Sequence, residues 1–324
     1  KKQIDLNWEN PELRAEIMAM IRWWLEKGVD GFRMDVINFI SKREGLPDGN
    51  EKIGVLMGNK GVEHYFYGPR LHEYLRQIRK EAFAQYGAFA VGETPVIGLE
   101  MAKLLTADYR EELDLIFSFD HLEMPGHDKF DGYQYDLNYY KEYIIYWLEN
   151  YGNHCWMSLF FENHDQPRMV SKVEPDPQYR TVVAKLLATM LLTLPGTPFI
   201  YQGQEIGMIN KDFRSIEDLR DIESLNFYAE WRKELGDQKA FKRVLAGSRD
   251  HGRAPMQWTK GQYAGFSTTE PWIGTDDDGR YCNVEDQMAA ADSVFHYYRQ
   301  LIQLRKSYRT LVYGEIEFVN KKTK

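Results

Sequence analysis

Val29-Asp30-Gly31-Phe32-Arg33-Met34-Asp35-Val36 is a short apolar run that ends in an acid, and its surroundings decide what kind of sheet it enters. Before it, Asn10-Pro11 offers a helix cap and a first-turn proline. Leu13, Ile17, Met20, Ile21, Trp24 and Leu25 then recur at helical spacing as far as Lys27-Gly28. After it comes a polar, Gly-rich excursion over about 42–68, then a helix from Pro69 to about Tyr86 with Leu71, Leu75 and Ile78 on one side. A second strand, Ala88 to Val91, closes in Gly92-Glu93-Thr94-Pro95. The alternation continues with a strand over Leu113 to Phe119 and a helix carrying Tyr140, Ile144, Trp147 and Leu148. A strand over Trp156 to Phe161 ends in Glu162-Asn163-His164-Asp165-Gln166. The next helix turns Val182, Val183, Leu186, Leu187, Met190, Leu191 and Leu194 inward and leads to a strand over Pro198 to Tyr201. From about Gln202 to Ala291 the alternation is lost in a polar, aromatic-rich insertion. A last helix starts near Asp292 or Ser293 and aligns Val294, Tyr298, Leu301 and Ile302.

Five short apolar strands alternating with amphipathic helices specify βαβ units and a parallel sheet covered on both faces. Such a sheet is either open and doubly wound or closed into a (β/α)8 TIM barrel. Asp35, Glu93 and Asp165 each fall at the C-terminal end of a different strand, where barrel active sites are built, and this favours the barrel. No strand is followed by G-x-G-x-x-G or by G-x-x-x-x-G-K-S/T, so dinucleotide and P-loop chemistry find no support. Neither C-x-x-C nor H-E-x-x-H spacing is present, so a zinc site is not expected, and no metal and no cofactor is assigned. The 324 residues carry a net charge of −8, the wrong sign for binding a nucleic-acid backbone. No run reaches the ~18 apolar residues of a membrane span. Two cysteines, Cys155 and Cys282, cannot form a disulfide framework.

The three acids differ in setting. Arg33 lies two residues before Asp35, on the same face of the strand, and a guanidinium there holds a carboxylate ionised, as a nucleophile requires. Glu93 follows Phe89-Ala90-Val91-Gly92, an apolar setting that raises a carboxyl pKa and suits a general acid. Asp165 stands among short polar side chains able to grip hydroxyl groups. Taken singly, each acid is most often a helix cap or a solvated loop charge.

Together, Gly31-Phe32-Arg33-Met34-Asp35-Val36-Ile37, Val91-Gly92-Glu93 and Glu162-Asn163-His164-Asp165-Gln166 resemble three signature segments of the α-amylase superfamily of glycoside hydrolases, in the right order and spacing. Trp23 to Gly28, Asn38 to Lys42, Gly68 to Glu73, His164 to Arg168 and Arg253-Ala254-Pro255-Met256-Gln257-Trp258 resemble its oligo-1,6-glucosidase and α-glucosidase branch, and the resemblance runs to about Tyr313. It implies that Asp35 is the nucleophile and Glu93 the acid and then the base. It makes Asp165 the residue that grips sugar hydroxyls and stabilises the oxocarbenium-like transition state. Arg33 and His164 would hold Asp35 and the sugar ring. Arg253, in preference to Arg249, would pair near the non-reducing end. The mechanism implied is retaining, with carboxyl groups ~5–5.5 Å apart. Val36 after the nucleophile goes with α-1,6 linkages in this branch, Thr with α-1,4. Gln204 stands where the branch usually has an acid, with Glu205 beside it.

The resemblance implies a retaining exo-α-glucosidase acting on short isomalto-oligosaccharides. A phosphotrehalose hydrolase, an α-1,4-glucosidase and a sucrose isomerase share the framework. The heavy subunit of amino-acid transporters is the non-enzymatic relative, but it has lost catalytic carboxylates. On the family pattern, residues 1–310 are the C-terminal part of the catalytic barrel, five of eight βα units (strands four to eight), with an insertion over about 202–291. Residues 311–324 then start a C-terminal β domain. Strands one to three and their inserted domain are not represented. The chain opens on Lys1-Lys2-Gln3 with neither an initiator Met nor a signal-peptide pattern. It is therefore expected to belong to a longer polypeptide, or to be completed by a missing N-terminal portion, and to be inactive alone. The expected ligand is a small oligosaccharide, with no nucleic acid and no membrane as partner. Low cysteine use and the branch suggest a cytoplasmic protein.

Overall fold

A computed structural model describes residues 4–322. Among these it has two compact units, one built from residues 4–121 and 144–158, the other from 122–143 and 159–322. In the first, α1 (Pro11–Glu26) starts where expected: the Asn10 side chain accepts a hydrogen bond from the Glu12 amide at 2.9 Å, and Gly28 takes φ 93° after the last turn. Its buried face is Met18, Ile21 and Leu25, whereas Met20 and Trp24 are exposed. Two overlapping stripes share Ile21 and Leu25 on a 3.6-residue period, and packing against residues 79–83 selects the one that includes Met18.

β1 (Gly31–Met34) follows, shorter than the apolar run that encodes it. Within the expected irregular excursion stands α2 (Glu51–Met57), capped by Asn50, whose side chain accepts from the amides of Lys52 and Ile53. α3 (Leu71–Ile78) continues through a π turn (Arg79–Phe83) and a 3-10 turn to Tyr86, burying Leu71, Leu75 and Ile78 as the sequence indicates. β2 (Phe89–Glu93) is followed by α4 (Leu99–Thr106), a short helix its local pattern did not announce, and by β3 (Leu115–Phe117). The three strands form one parallel sheet in the order β1-β2-β3, with Arg33 opposite Val91 and Glu93 opposite Phe117. Gly31 has to be glycine here, because a Cβ would lie 2.4 Å from the Phe89 carbonyl oxygen. This register puts Asp35 just beyond one strand and Glu93 at the end of its neighbour.

α5 (Leu137–Asn150) starts in the second unit's residues and ends in the first's, and it buries Tyr140, Ile144 and Trp147 as expected. β4 (Ser158–Leu159) pairs with β5 (Thr197–Pro198), and the Phe199 amide donates to the Leu159 carbonyl at 2.8 Å. Between them lie α6 (Met169–Val173) and α7 (Arg180–Thr193). α7 buries Val183, Ala184, Leu187, Ala188 and Leu191, while Val182 and Leu186 are exposed, so its inner stripe includes alanines in place of two of the larger residues expected there.

The insertion after β5 carries four helices: α8 (Ile222–Leu235), α9 (Asp237–Gly247), α10 (Asp250–Arg253) and α11 (Val284–Ala289). It has its own core of Phe213, Leu219, Val244 and Ile273. α12 (Val294–Ser307), capped by Ser293, packs on α7. Its buried Arg305 caps the end of α7, donating to the carbonyls of Leu192 at 3.0 Å and Leu194 at 2.8 Å. α13 (Thr310–Tyr313) follows, and no strand occurs among the described residues after it. Residues 323–324 of the expected C-terminal segment lie outside the described residues.

Candidate active site

Local strand geometry puts Arg33 and Asp35 on one face, and the parallel register brings Glu93 to them. Arg33 Nη1 donates to Asp35 Oδ1 at 2.5 Å, and Arg33 Nη2 donates to Glu93 Oε1 at 2.6 Å. The Val36 amide donates to Glu93 Oε2 at 3.3 Å. Glu93 is 6% exposed, whereas the Asp35 side chain is 73% exposed. Burial, reinforced by the neighbouring Asp35 carboxyl, pushes the Glu93 carboxyl up to about 7, against the opposing pull of Arg33. Arg33 serves both carboxyl groups and not Asp35 alone. Val36 departs from the sequence reading: it is not extended strand but left-handed, at φ 36°. For a β-branched residue that conformation is strained, and such strain concentrates at functional sites.

In the second unit the loop after β4 carries His164 and Asp165. Asp165 Oδ1 accepts from Arg253 Nη2 at 2.8 Å and from Arg249 Nη1 at 3.2 Å, and Oδ2 lies 3.3 Å from His164 Nε2. Arg253 Nε also donates to the His164 carbonyl at 2.8 Å. Both arginines thus reach Asp165. The loop is tied internally: the Asn163 side chain accepts from the Asp165 amide at 2.8 Å. Beneath it, fully buried Arg168 donates to Glu162 at 3.0 Å and to the Gln202 carbonyl at 2.8 Å. Burial pushes the Glu162 carboxyl above its ordinary value, and Arg168 opposes that rise. Gly252 closes the loop from the α10 side, where a Cβ would come within 2.9 Å of the Asn163 carbonyl oxygen and 2.7 Å of that of Gln166.

An exposed carboxylate beside a buried carboxyl of raised pKa, as at Asp35 and Glu93, is an arrangement suited to glycosidic-bond chemistry. The family description Alpha amylase, catalytic domain matches residues 1–314. The chain belongs to this family. Along 98% of its length it is 44% identical to an oligo-1,6-glucosidase of Bacillus cereus, of which it covers 58%. Among solved structures, a trehalose-6-phosphate hydrolase of Bacillus licheniformis superposes with a TM-score of 0.90 at 37% identity, over 98% of this chain and 57% of that one. An isomaltulose synthase of Erwinia rhapontici does so with a TM-score of 0.89 at 33% identity, over 97% and 56%. The chain thus spans a little under three fifths of the relatives it matches.

Among the described residues no group of three or more His, Cys, Asp or Glu could hold a metal ion. No helix there is long and apolar enough to cross a membrane. Sequence reasoning missed one contributor to the Asp165 cluster altogether: Asp221, whose carboxylate accepts from Arg249 Nε at 3.0 Å. Its only local signal is that of a helix cap, Asp221 before Ile222-Glu223-Ser224.

Proposed function

We propose that this chain carries the catalytic carboxylates of a retaining exo-α-glucosidase that releases α-1,6-linked glucose from short isomalto-oligosaccharides. The observation that carries this reading is the Asp35–Arg33–Glu93 arrangement. One guanidinium bonded to both carboxyl groups, at 2.5 Å and 2.6 Å, keeps them near each other, which supports the close-spaced retaining geometry over the ~6.5–9.5 Å of inverting enzymes. Asp35, exposed and bonded to a guanidinium, attacks the anomeric carbon. Glu93, protonated below about pH 7, gives its proton to the leaving oxygen. The glucosyl ester on Asp35 is then opened by water, which Glu93, now ionised, deprotonates, so two inversions give net retention. Asp165 accepts hydroxyl groups of the glucose unit, with His164 and Arg253 around the same ring. On this reading β1 to β5 are strands four to eight of the (β/α)8 barrel.

Val36, whose amide touches Glu93, faces the departing sugar on this reading and supports the α-1,6 preference. Phosphotrehalose hydrolysis is the second reading. A cavity of about 480 Å³ lined by Lys42, Arg43 and Lys60, with Asp48 and Glu51 beside them, offers cations for its phosphate. The deciding experiment compares isomaltose, maltose and trehalose 6-phosphate as substrates of the full-length polypeptide, wild type and V36T. Isomaltose is expected to be preferred, and V36T to move the isomaltose-to-maltose ratio of kcat/KM about tenfold towards maltose, the scale of one group in a pocket. Preference for trehalose 6-phosphate would establish the second reading. Hydrolysis of none of the three would overturn both.

A further inference from the structure

We propose that Asp221, at the start of α8 in the insertion, is a positioning residue: it holds Arg249 so that Asp165 is oriented for the sugar and not locked in an ion pair. The inference rests on the reading of Asp165 given above. Asp221 is almost fully buried and is fixed from three directions. Its Oδ2 accepts the Ser224 hydroxyl at 2.7 Å and the Ser224 amide at 3.2 Å. Its amide, with that of Arg220, donates to buried Asp250 Oδ2 at 2.9 and 2.6 Å. Its Oδ1 takes Arg249 Nε at 3.0 Å, and the far side of the same guanidinium reaches Asp165 Oδ1 at 3.2 Å. Burial would raise the Asp221 carboxyl, but the Ser224 hydroxyl, Arg249 and the cap amides hold it below its ordinary value.

The other groups around Arg249 cannot replace this anchor. Glu223 stands 3.4 Å from Arg249 Nε but is itself paired with Lys129 at 2.5 Å and is a third exposed. Arg253, the second cation on Asp165, is bonded to the His164 carbonyl and so travels with the loop it contacts. Among the described residues, Arg249 is the side chain that ties Asp165 to the N-cap of α8. Without the Asp221 charge, the Arg249 cation is left to Asp165 and competes with the sugar hydroxyls that Asp165 must accept.

The test is D221N in the full-length protein. Asn is as good an N-cap as Asp, so the start of α8 is expected to be kept. The kcat/KM for the substrate established above is expected to fall about tenfold, a size seen when a group is misaligned from a distance. In an R249M background the same substitution is expected to have no further effect, because Asp221 acts through Arg249. An unchanged kcat/KM in D221N, or a fall that persists in R249M, overturns the inference. Should D221N not fold, S224A carries the test, because it weakens the Asp221 anchor and keeps the carboxylate. A fall that disappears in R249M supports the inference, and no fall overturns it. A wild type that hydrolyses none of the three substrates removes the functional reading and this inference with it. Hydrolysis by the wild type with D221N unaffected removes this inference alone.

Discussion

At the ends of β1 and β2 a single guanidinium, Arg33, serves two acids, Asp35 and Glu93; in the loop after β4 two guanidiniums, Arg249 and Arg253, converge on one acid, Asp165. The first cluster has one negative charge too many for its cation, and it resolves this by keeping a proton on the buried member. In the second, Asp165 accepts from both guanidiniums, one of which is also held by Asp221. A group that must give and take a proton and a group that must only accept hydrogen bonds are thus distinguished by counting cations and burial around chemically similar carboxyls. The supports differ too. Strand register builds the first cluster, and Arg33 and Asp35 remain substantially exposed. The loop of the second rests on a fully buried ion pair, Glu162–Arg168, beneath it.

The sharpest way to break this contrast is E93Q, which keeps the shape and removes the titrating proton. The kcat of the full-length enzyme is expected to fall roughly 10²- to 10⁴-fold, and external azide to restore turnover of an aryl glucoside whose leaving group needs no acid. R168M tests the other support. It strands a buried carboxylate at Glu162, and unfolding stability is expected to drop by about 3–5 kcal/mol in a denaturant titration. R33M, at a half-exposed arginine, is expected to cost activity and little stability. A fold that tolerates R168M and collapses on R33M would reverse the comparison.

The smallest expected effect is in pH. Glu93 must be protonated to act as acid, so activity is expected to fall above about pH 7. Arg33 lowers the Glu93 pKa and Asp35 raises it. R33M should therefore move that alkaline limb upward, by about one pH unit, in whatever activity remains. Stability carries the same signature. The folded Glu93 binds a proton that the unfolded chain has released, so its stabilising contribution is fully present below about 4.5 and is lost as pH rises through about 7. A pH profile unmoved in R33M would mean that the limb belongs to another group.

Much of this was legible locally. Asn10-Pro11 and Lys27-Gly28 bracket α1, Ser293 opens α12, and the apolar runs before Asp35, Glu93 and Asp165 contain the strands they suggested. These features depend on caps, turn residues and periodicity within a few positions. The helices of the insertion were less legible, because their apolar residues face a small separate core and leave no broad stripe. Which stripe of α1 and α7 turns inward was likewise undecided by spacing, since two registers fit a 3.6-residue period.

By itself, then, the sequence determined the α/β alternation, the caps, and three acids each placed at a strand end in a pattern that marks the family. Only tertiary structure decided that Arg33 bridges Asp35 and Glu93, that Glu93 holds its proton towards neutral pH, that Val36 is left-handed, and that Asp221 stands behind Arg249. The physical reason is range. A cap or a stripe is settled by neighbours in the chain, whereas a carboxyl's pKa and a guanidinium's aim are set by burial and by charges that folding brings from distant positions: Glu93 to Val36 across 57 residues, Arg249 to Asp165 across 84.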